Sequence, residues 1–170
     1  MKEDIFDVVN ERDEVVGQEK RSIVHARGLK HRAVHILIFN AKGELFLQKR
    51  SMNKDVSPGC WDSSCCGHVD AGETYETAVW RELIEELGLK LSAAEQKKIR
   101  LLFKIDAREE TGQEFVHVYD LKHEGPFELH PEEIDEGRWF TIPEVDRLIA
   151  EQPKEFAASF RYIWQRFKAL

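Results

Sequence analysis

The chain has 170 residues, of which 42% are apolar and 34% charged, and its formal net charge is −7. That length fits one domain with a sizeable core, and no composition shift or polar low-complexity tract divides it. An acidic balance argues against a general nucleic-acid or membrane-surface binder, which it would repel, and suits a phosphorylated ligand only if cations stand between protein and phosphate.

The opening MKEDIFDVVNERDE is acidic and alternating, unlike a secretory signal or an Arg-rich transit peptide. Residues 5–9 (IFDVV) and 14–17 (EVVG) flank a polar turn and predict a hairpin; residues 19–30 are polar and basic and read as a connector. AVHILIFN (33–40) and ELFLQKR (44–50) predict a second hairpin with a buried first strand. Asn53, Ser57, Pro58 and Gly59 mark residues 51–60 as a loop, and 61–73 hold a short strand and a glycine-punctuated loop. Thr74 to Leu87 is the clearest helix: Thr74 can cap it, Ala78, Leu83 and Leu87 form an apolar stripe, and Gly88 ends it. Strands are expected at 99–107, 114–121 and 137–141. A helix follows at 143–151, opened by Pro143, and a last one at 153–168 with Phe156, Phe160, Ile163, Trp164 and Phe167 inward. Strands interspersed with helices of differing length imply an α/β or α+β sandwich of layers. No apolar run approaches the roughly 18 residues of a membrane span. The cysteines, Cys60, Cys65 and Cys66, crowd one stretch and do not form a disulfide framework, so a reducing cytoplasm is the expected location.

The chemistry concentrates in GHVDAGETYETAVWRELIEELGL, residues 67–89. Glu82, Glu85 and Glu86 stand at i, i+3 and i+4 and share a helix face, a like-charge arrangement that destabilises a bare helix by a few tenths of a kcal/mol per pair. Taken alone, that is a solvated surface. A hard cation such as Mg²⁺, however, prefers carboxylate oxygens and keeps waters for bridging to phosphates, and Gly67 and Gly72 let backbone approach a ligand closely. Gly67, five residues, Glu73, seven residues, Arg81-Glu82-Leu83, one residue, Glu85-Glu86, one residue, Gly88-Leu89 is the whole Nudix signature without a gap. The chain thus resembles a Nudix hydrolase. The resemblance implies one Nudix domain over 1–170: a mixed-sheet α/β/α sandwich at 31–168, with 1–30 as an N-terminal hairpin and connector. It implies Mg²⁺ or Mn²⁺ on Glu82, Glu85 and Glu86 with the Gly67 carbonyl, a Glu73–Arg81 supporting pair, and Gly88 closing the helix. It further implies diphosphate hydrolysis in a nucleoside-diphosphate-linked or similar small substrate, with Glu86 or Glu85 activating water and Glu114 as a further base or ligand.

A second set of residues, His31, FNAKGELFLQKR, PGCWDSSCCGH and GQEFV, is similar to the isopentenyl-diphosphate isomerases, which share that fold. This resemblance implies Cys66 and Glu114 as acid and base, with His31, His68 and Glu73 around a metal and His25 the nearest match to a further histidine. Isomerases carry a degenerate box, whereas every position is kept here, so hydrolysis is the preferred reading and isomerisation the alternative. A nucleotide-binding module without turnover would be signalled by a lost metal glutamate, and none is lost. Cys65 and Cys66 alternate on a strand, so one of them is expected to be buried. His35 reads as a hydrogen-bonded sheet residue. A zinc site from these cysteines and His68 lacks a second ligand pair. Trp61, Phe115, Tyr119, Trp139 and Phe140 either stack a base or fill the core. The N-terminal hairpin either covers the site or pairs with a second subunit in a homodimer.

Overall fold

The computed structural model describes residues 3–170. Its strands are β1 (Ile5–Val9), β2 (Val15–Lys20), β3 (His31–Phe39), β4 (Leu45–Arg50), β5 (Trp61–Asp62), β6 (Cys65–His68), β7 (Arg100–Ile105), β8 (Glu114–Lys122) and β9 (Ile134–Phe140). Its helices are α1 (Arg21–Arg27), α2 (Tyr75–Leu87), α3 (Ala93–Gln96), α4 (Ile142–Glu151) and α5 (Ala158–Lys168).

The central sheet runs β5-β4-β3-β8-β7, with β6 on β3 and β9 on β4. It is mixed: β3 and β8 run parallel, from His31 opposite Glu114 to Phe39 opposite Lys122, and the other pairs are antiparallel. Strand β3 is apolar on both sides because both faces are covered. Val34, Ile36 and Ile38 point one way and pack with Ala78, Val79, Leu83 and Leu87 of α2. Ala33 and Leu37 point the other way and pack with Val145 of α4 and Phe160, Ile163 and Trp164 of α5. The expected layered sandwich is therefore present.

One edge of β3 is shared. Its last residues pair with β4, while Ala33 to Ile36 pair with β6. Alternation along β6 then sends Cys65 and Gly67 toward α2 and Cys66 and His68 toward the opposite face.

Four readings need correction. The connector 19–30 holds the end of β2 and the helix α1, whose Val24 is fully buried and which stops at Gly28. The helix expected over 153–168 begins only at Ala158, because Phe156 is extended and the Ala157 N–H is taken by the Trp61 carbonyl at 3.0 Å. Both Cys65 and Cys66 are buried, so burial does not separate them. Strand β9 starts at Ile134, whose side chain is in the core, three positions ahead of 137.

The hairpin β1–β2 lies on the glycine loop before α2. The Ala71 N–H donates to the Ile5 carbonyl at 2.8 Å and the Gly72 N–H to Asp7 at 3.0 Å. Asp13, at φ 60°, latches the turn, accepting Arg32 Nε and the Tyr75 hydroxyl, each at 2.7 Å. No helix among the described residues is long and apolar enough to cross a membrane.

Candidate functional site

Helix α2 sets the carboxylates. Thr74 accepts the Thr77 N–H at 3.1 Å as N-cap, and Gly88, at φ 62°, closes the helix in the left-handed conformation. Between these caps Leu83 and Leu87 are fully buried, which pulls Glu82 and Glu86, each one residue earlier, to the rim of the same face. Both are nearly buried; Glu85 has a half-exposed side chain.

Gly67 is needed by packing. A Cβ there would stand 2.3 Å from Glu82 Cδ, so only glycine admits that carboxylate against β6. Glu86 Oε1 accepts the Cys66 N–H at 2.9 Å and the Gln48 amide at 3.1 Å. Arg81 donates to both oxygens of Glu73 (2.9 and 2.8 Å), to Glu82 (2.7 Å), to Glu85 (3.2 Å) and to the His68 carbonyl (2.9 Å). The Glu73–Arg81 brace thus ties the loop to the helix, and one guanidinium serves several acids. Burial, reinforced by the neighbouring Glu86 charge, raises the Glu82 carboxyl well above the usual carboxylate range. Burial likewise pushes Glu86 up to about 7 against the pull of its hydrogen bonds.

On the other face of β6, His31 and His68 converge on Glu114. His68 Nε2 lies 2.8 Å and His31 Nε2 3.3 Å from Glu114 Oε2. His31 Nδ1 donates to the Leu29 carbonyl at 2.9 Å, and a carbonyl can only accept. Nδ1 therefore carries a hydrogen, and Nε2 is the ring atom that faces the carboxylate. That buried nitrogen makes no hydrogen bond among the described residues. A cation held between the two groups would give that nitrogen a partner. His25, carried in by α1, completes the group: its donor nitrogen and those of His31 and His68 lie within 4.8 Å of one another. Phe6 of β1 stacks on His68 at 4.5 Å and on His31 at 5.7 Å, so the hairpin packs behind the histidines. Burial opposes the Glu114 charge, but His68 and His31 outweigh it and hold this carboxyl below its ordinary range. Burial, with help from His68, lowers His25.

Both faces open on one cavity of about 1280 Å³, lined by Glu82, Glu85, Glu86, Arg81, Gly67, Cys66, His25, His68 and Glu114 and by the cations Arg21, Arg50 and Lys54. The three cations are each held by an acid: Arg21 by Asp55 at 2.9 Å, Arg50 by Asp62 at 3.3 Å and Lys54 by Glu133 at 2.5 Å. Sequence reasoning did not single these cations out, since isolated Arg and Lys in a polar loop carry no periodic signal.

The structure brings the box residues together and places Cys66 on the same cavity. Arg81 occupies both oxygens of Glu73, and the acid in contact with the imidazoles is Glu114. The Glu114 side chain is largely buried beside them. The aromatic stacking candidates fall outside the cavity: Phe140 and Tyr119 are in the two cores, Phe115 is buried, and Trp61 and Trp139 pack against the cores. No Trp, Tyr or Phe among the described residues lines it.

Comparison with known proteins gives a consistent pattern. A profile described as the NUDIX domain matches residues 29–160. A Nudix hydrolase of Deinococcus radiodurans is 37% identical over 136 residues, spanning 80% of this chain and 78% of that protein. An isopentenyl-diphosphate Delta-isomerase of Burkholderia multivorans is 32% identical over 161 residues, 94% of this chain and 90% of that protein. A crystal structure from Deinococcus radiodurans superposes with a TM-score of 0.76 at 35% identity, covering 87% of this chain and 90% of that one.

Proposed function

This chain belongs to the NUDIX domain family, and from that premise we propose that it hydrolyses the phosphoanhydride bond of a small diphosphate, with a divalent metal on Glu82, Glu85 and Glu86. The observation that carries the reading is the buried Glu82–Glu86 pair. Glu82 shares Arg81 with Glu73 and Glu85, Glu86 has only the neutral Gln48 amide and Cys66 N–H as partners, and burial raises both carboxyls. An oxygen-rich, charge-deficient pocket of this kind fits Mg²⁺ or Mn²⁺. Bound there, the ion would neutralise the diphosphate and polarise a phosphoryl oxygen.

The remaining work falls to the chain itself. Arg50, Lys54 and Arg21 line the cavity and can donate to phosphate oxygens by exchanging their present carboxylate partners. Glu86, oriented by Cys66 and Gln48, or the more open Glu85, takes the proton of the attacking water. A cavity walled by charges and imidazoles, without a large aromatic ring, favours a compact diphosphate over a stacked nucleotide.

One observation favours a second reading. His25, His31, His68 and Glu114 form a donor set suited to a transition metal, and Cys66 opens on the same cavity. With the similarity to isomerases across the chain, this supports proton transfer on an allylic diphosphate by Cys66 and Glu114. The complete carboxylate helix keeps hydrolysis first, since a diphosphate isomerase gains nothing from a centre that cleaves its substrate.

The test is mass spectrometry of a mixed panel incubated with the protein and Mg²⁺ in D₂O: nucleoside di- and triphosphates, dinucleotide and sugar diphosphates, and isopentenyl diphosphate. Split phosphates that vanish in Glu86→Gln would support the hydrolase and name its substrate. Deuterium gained by intact isopentenyl diphosphate and lost in Cys66→Ala would overturn hydrolysis in favour of isomerisation.

A further inference from the structure

A third cluster lies in the cavity wall and shares only Cys66 with the sets of residues described above. Cys66 stands directly opposite His35 across the antiparallel β3–β6 pair, so the two side chains project from one sheet face. Asp62, at the end of β5, reaches them from a third strand. One donor atom of each, an imidazole nitrogen, a carboxylate oxygen and the sulfur, lies within 4.8 Å of the other two. All three residues are more than nine-tenths buried and all three line the cavity.

The cluster is braced as a metal centre would be. Ser63 Oγ, 2.8 Å from His35 Nδ1, fixes the plane of the imidazole. The Ser63 N–H donates to Asp62 Oδ1 at 2.8 Å, and Arg50 holds Oδ2 at 3.3 Å. A carboxylate offers about four lone-pair directions, so these contacts leave room for a ligand bond. All three donors stand on strands, which spares the ordering cost a loop-borne site would carry.

We propose that His35, Asp62 and Cys66 form a metal site of the zinc class with an open coordination position on the cavity. Thiolate and imidazole favour zinc over magnesium, and three protein ligands facing a cavity leave a fourth position for water or a substrate oxygen. Binding releases the thiol proton to solvent and changes no oxidation state. The assignment goes beyond the hydrolase reading and is independent of it. It excludes the isomerase use of Cys66, because a sulfur bound to metal has no proton to give.

Cobalt(II) titration of the full chain tests the site, because sulfur ligation alone adds a near-ultraviolet charge-transfer band. The band should appear in the wild type, vanish in Cys66→Ser, and survive in Cys60→Ser and His68→Ala. In His35→Ala it should need at least tenfold more cobalt. Equimolar Zn²⁺ should erase it, and a large excess of Mg²⁺ should not. Cobalt uptake without the band, or a band that persists in Cys66→Ser, would overturn the site. If circular dichroism finds Cys66→Ser unfolded, Asp62→Asn and His35→Ala decide: an unchanged band in both rejects the assignment. The spectra do not depend on diphosphate cleavage, so failure of this site and failure of the hydrolase reading remain separate results.

Discussion

The two faces of β6 solve the same problem, burying charge beside a cavity, in opposite ways. On the α2 face the carboxylates outnumber the cations, and burial drives Glu82 and Glu86 toward protonation. On the other face imidazoles outnumber the acid, and Glu114 is held ionised. A strand four residues long keeps these electrostatic regimes apart because its side chains alternate. The lesson is that one sheet rung can serve hard oxygen chemistry on one side and nitrogen or sulfur chemistry on the other.

The strongest way to break this comparison is to neutralise one face. Glu86→Gln should lower hydrolysis by about a thousandfold or more, since charge stabilisation worth several kcal/mol is lost at roughly 1.4 kcal/mol per decade. Its melting temperature should hold or rise, because a buried charge is removed; a loss of fold would show that the group is structural. Next in size, Gly67→Ala drives a methyl group into the Glu82 carboxylate and should weaken Mg²⁺ activation by roughly ten- to a hundredfold, read from a metal titration of turnover. Glu114→Gln probes the other face and should cost less than about tenfold in hydrolysis while weakening transition-metal uptake. If it costs as much as Glu86→Gln, the two faces act as a single centre.

The smallest effect concerns pH and the metal-free protein. Folding raises the Glu86 pKa from 4.5 to about 7, so its protonated form favours the folded state. The contribution is fully present below about 4.5 and lost as pH rises through about 7. Thermal melts in chelator should therefore show stability falling across that window, and Glu86→Gln should flatten the slope. A slope unchanged in the variant would assign the titration to another group.

The same contrast explains what the sequence disclosed. The carboxylate face is local: one helix with a 3.6-residue apolar stripe, a threonine cap and a glycine stop carries Glu82, Glu85 and Glu86, and spacing alone places them. The opposite face is assembled from β1, α1, β3, β6 and β8, and no window of sequence contains it. Its first histidine, His25, rides on a two-turn helix without a side-chain N-cap, which reads as a polar connector. Asp62 meets His35 only because β5 and β6 bring them together. Phe156 broke the final helix for a similar reason: an extended residue there lets Ala157 pair with the distant Trp61. Composition leaves the aromatic side chains a choice between core and cavity, and alternation, visible once the register is known, turns Phe140 and Tyr119 into the cores.

The parallel pairing of β3 with β8 sets an order of events during synthesis. His31 is made 83 residues ahead of Glu114, its partner across the register. Phe6, His25 and His31 must leave the ribosome and wait, at roughly 5–20 residues per second, until β8 emerges. Through that interval the nascent chain offers a stretch of imidazoles and apolar strand with no acid to close it. The histidine face is completed late in the life of the nascent chain, and a chaperone or a metal ion present in those seconds meets a different molecule from the finished enzyme.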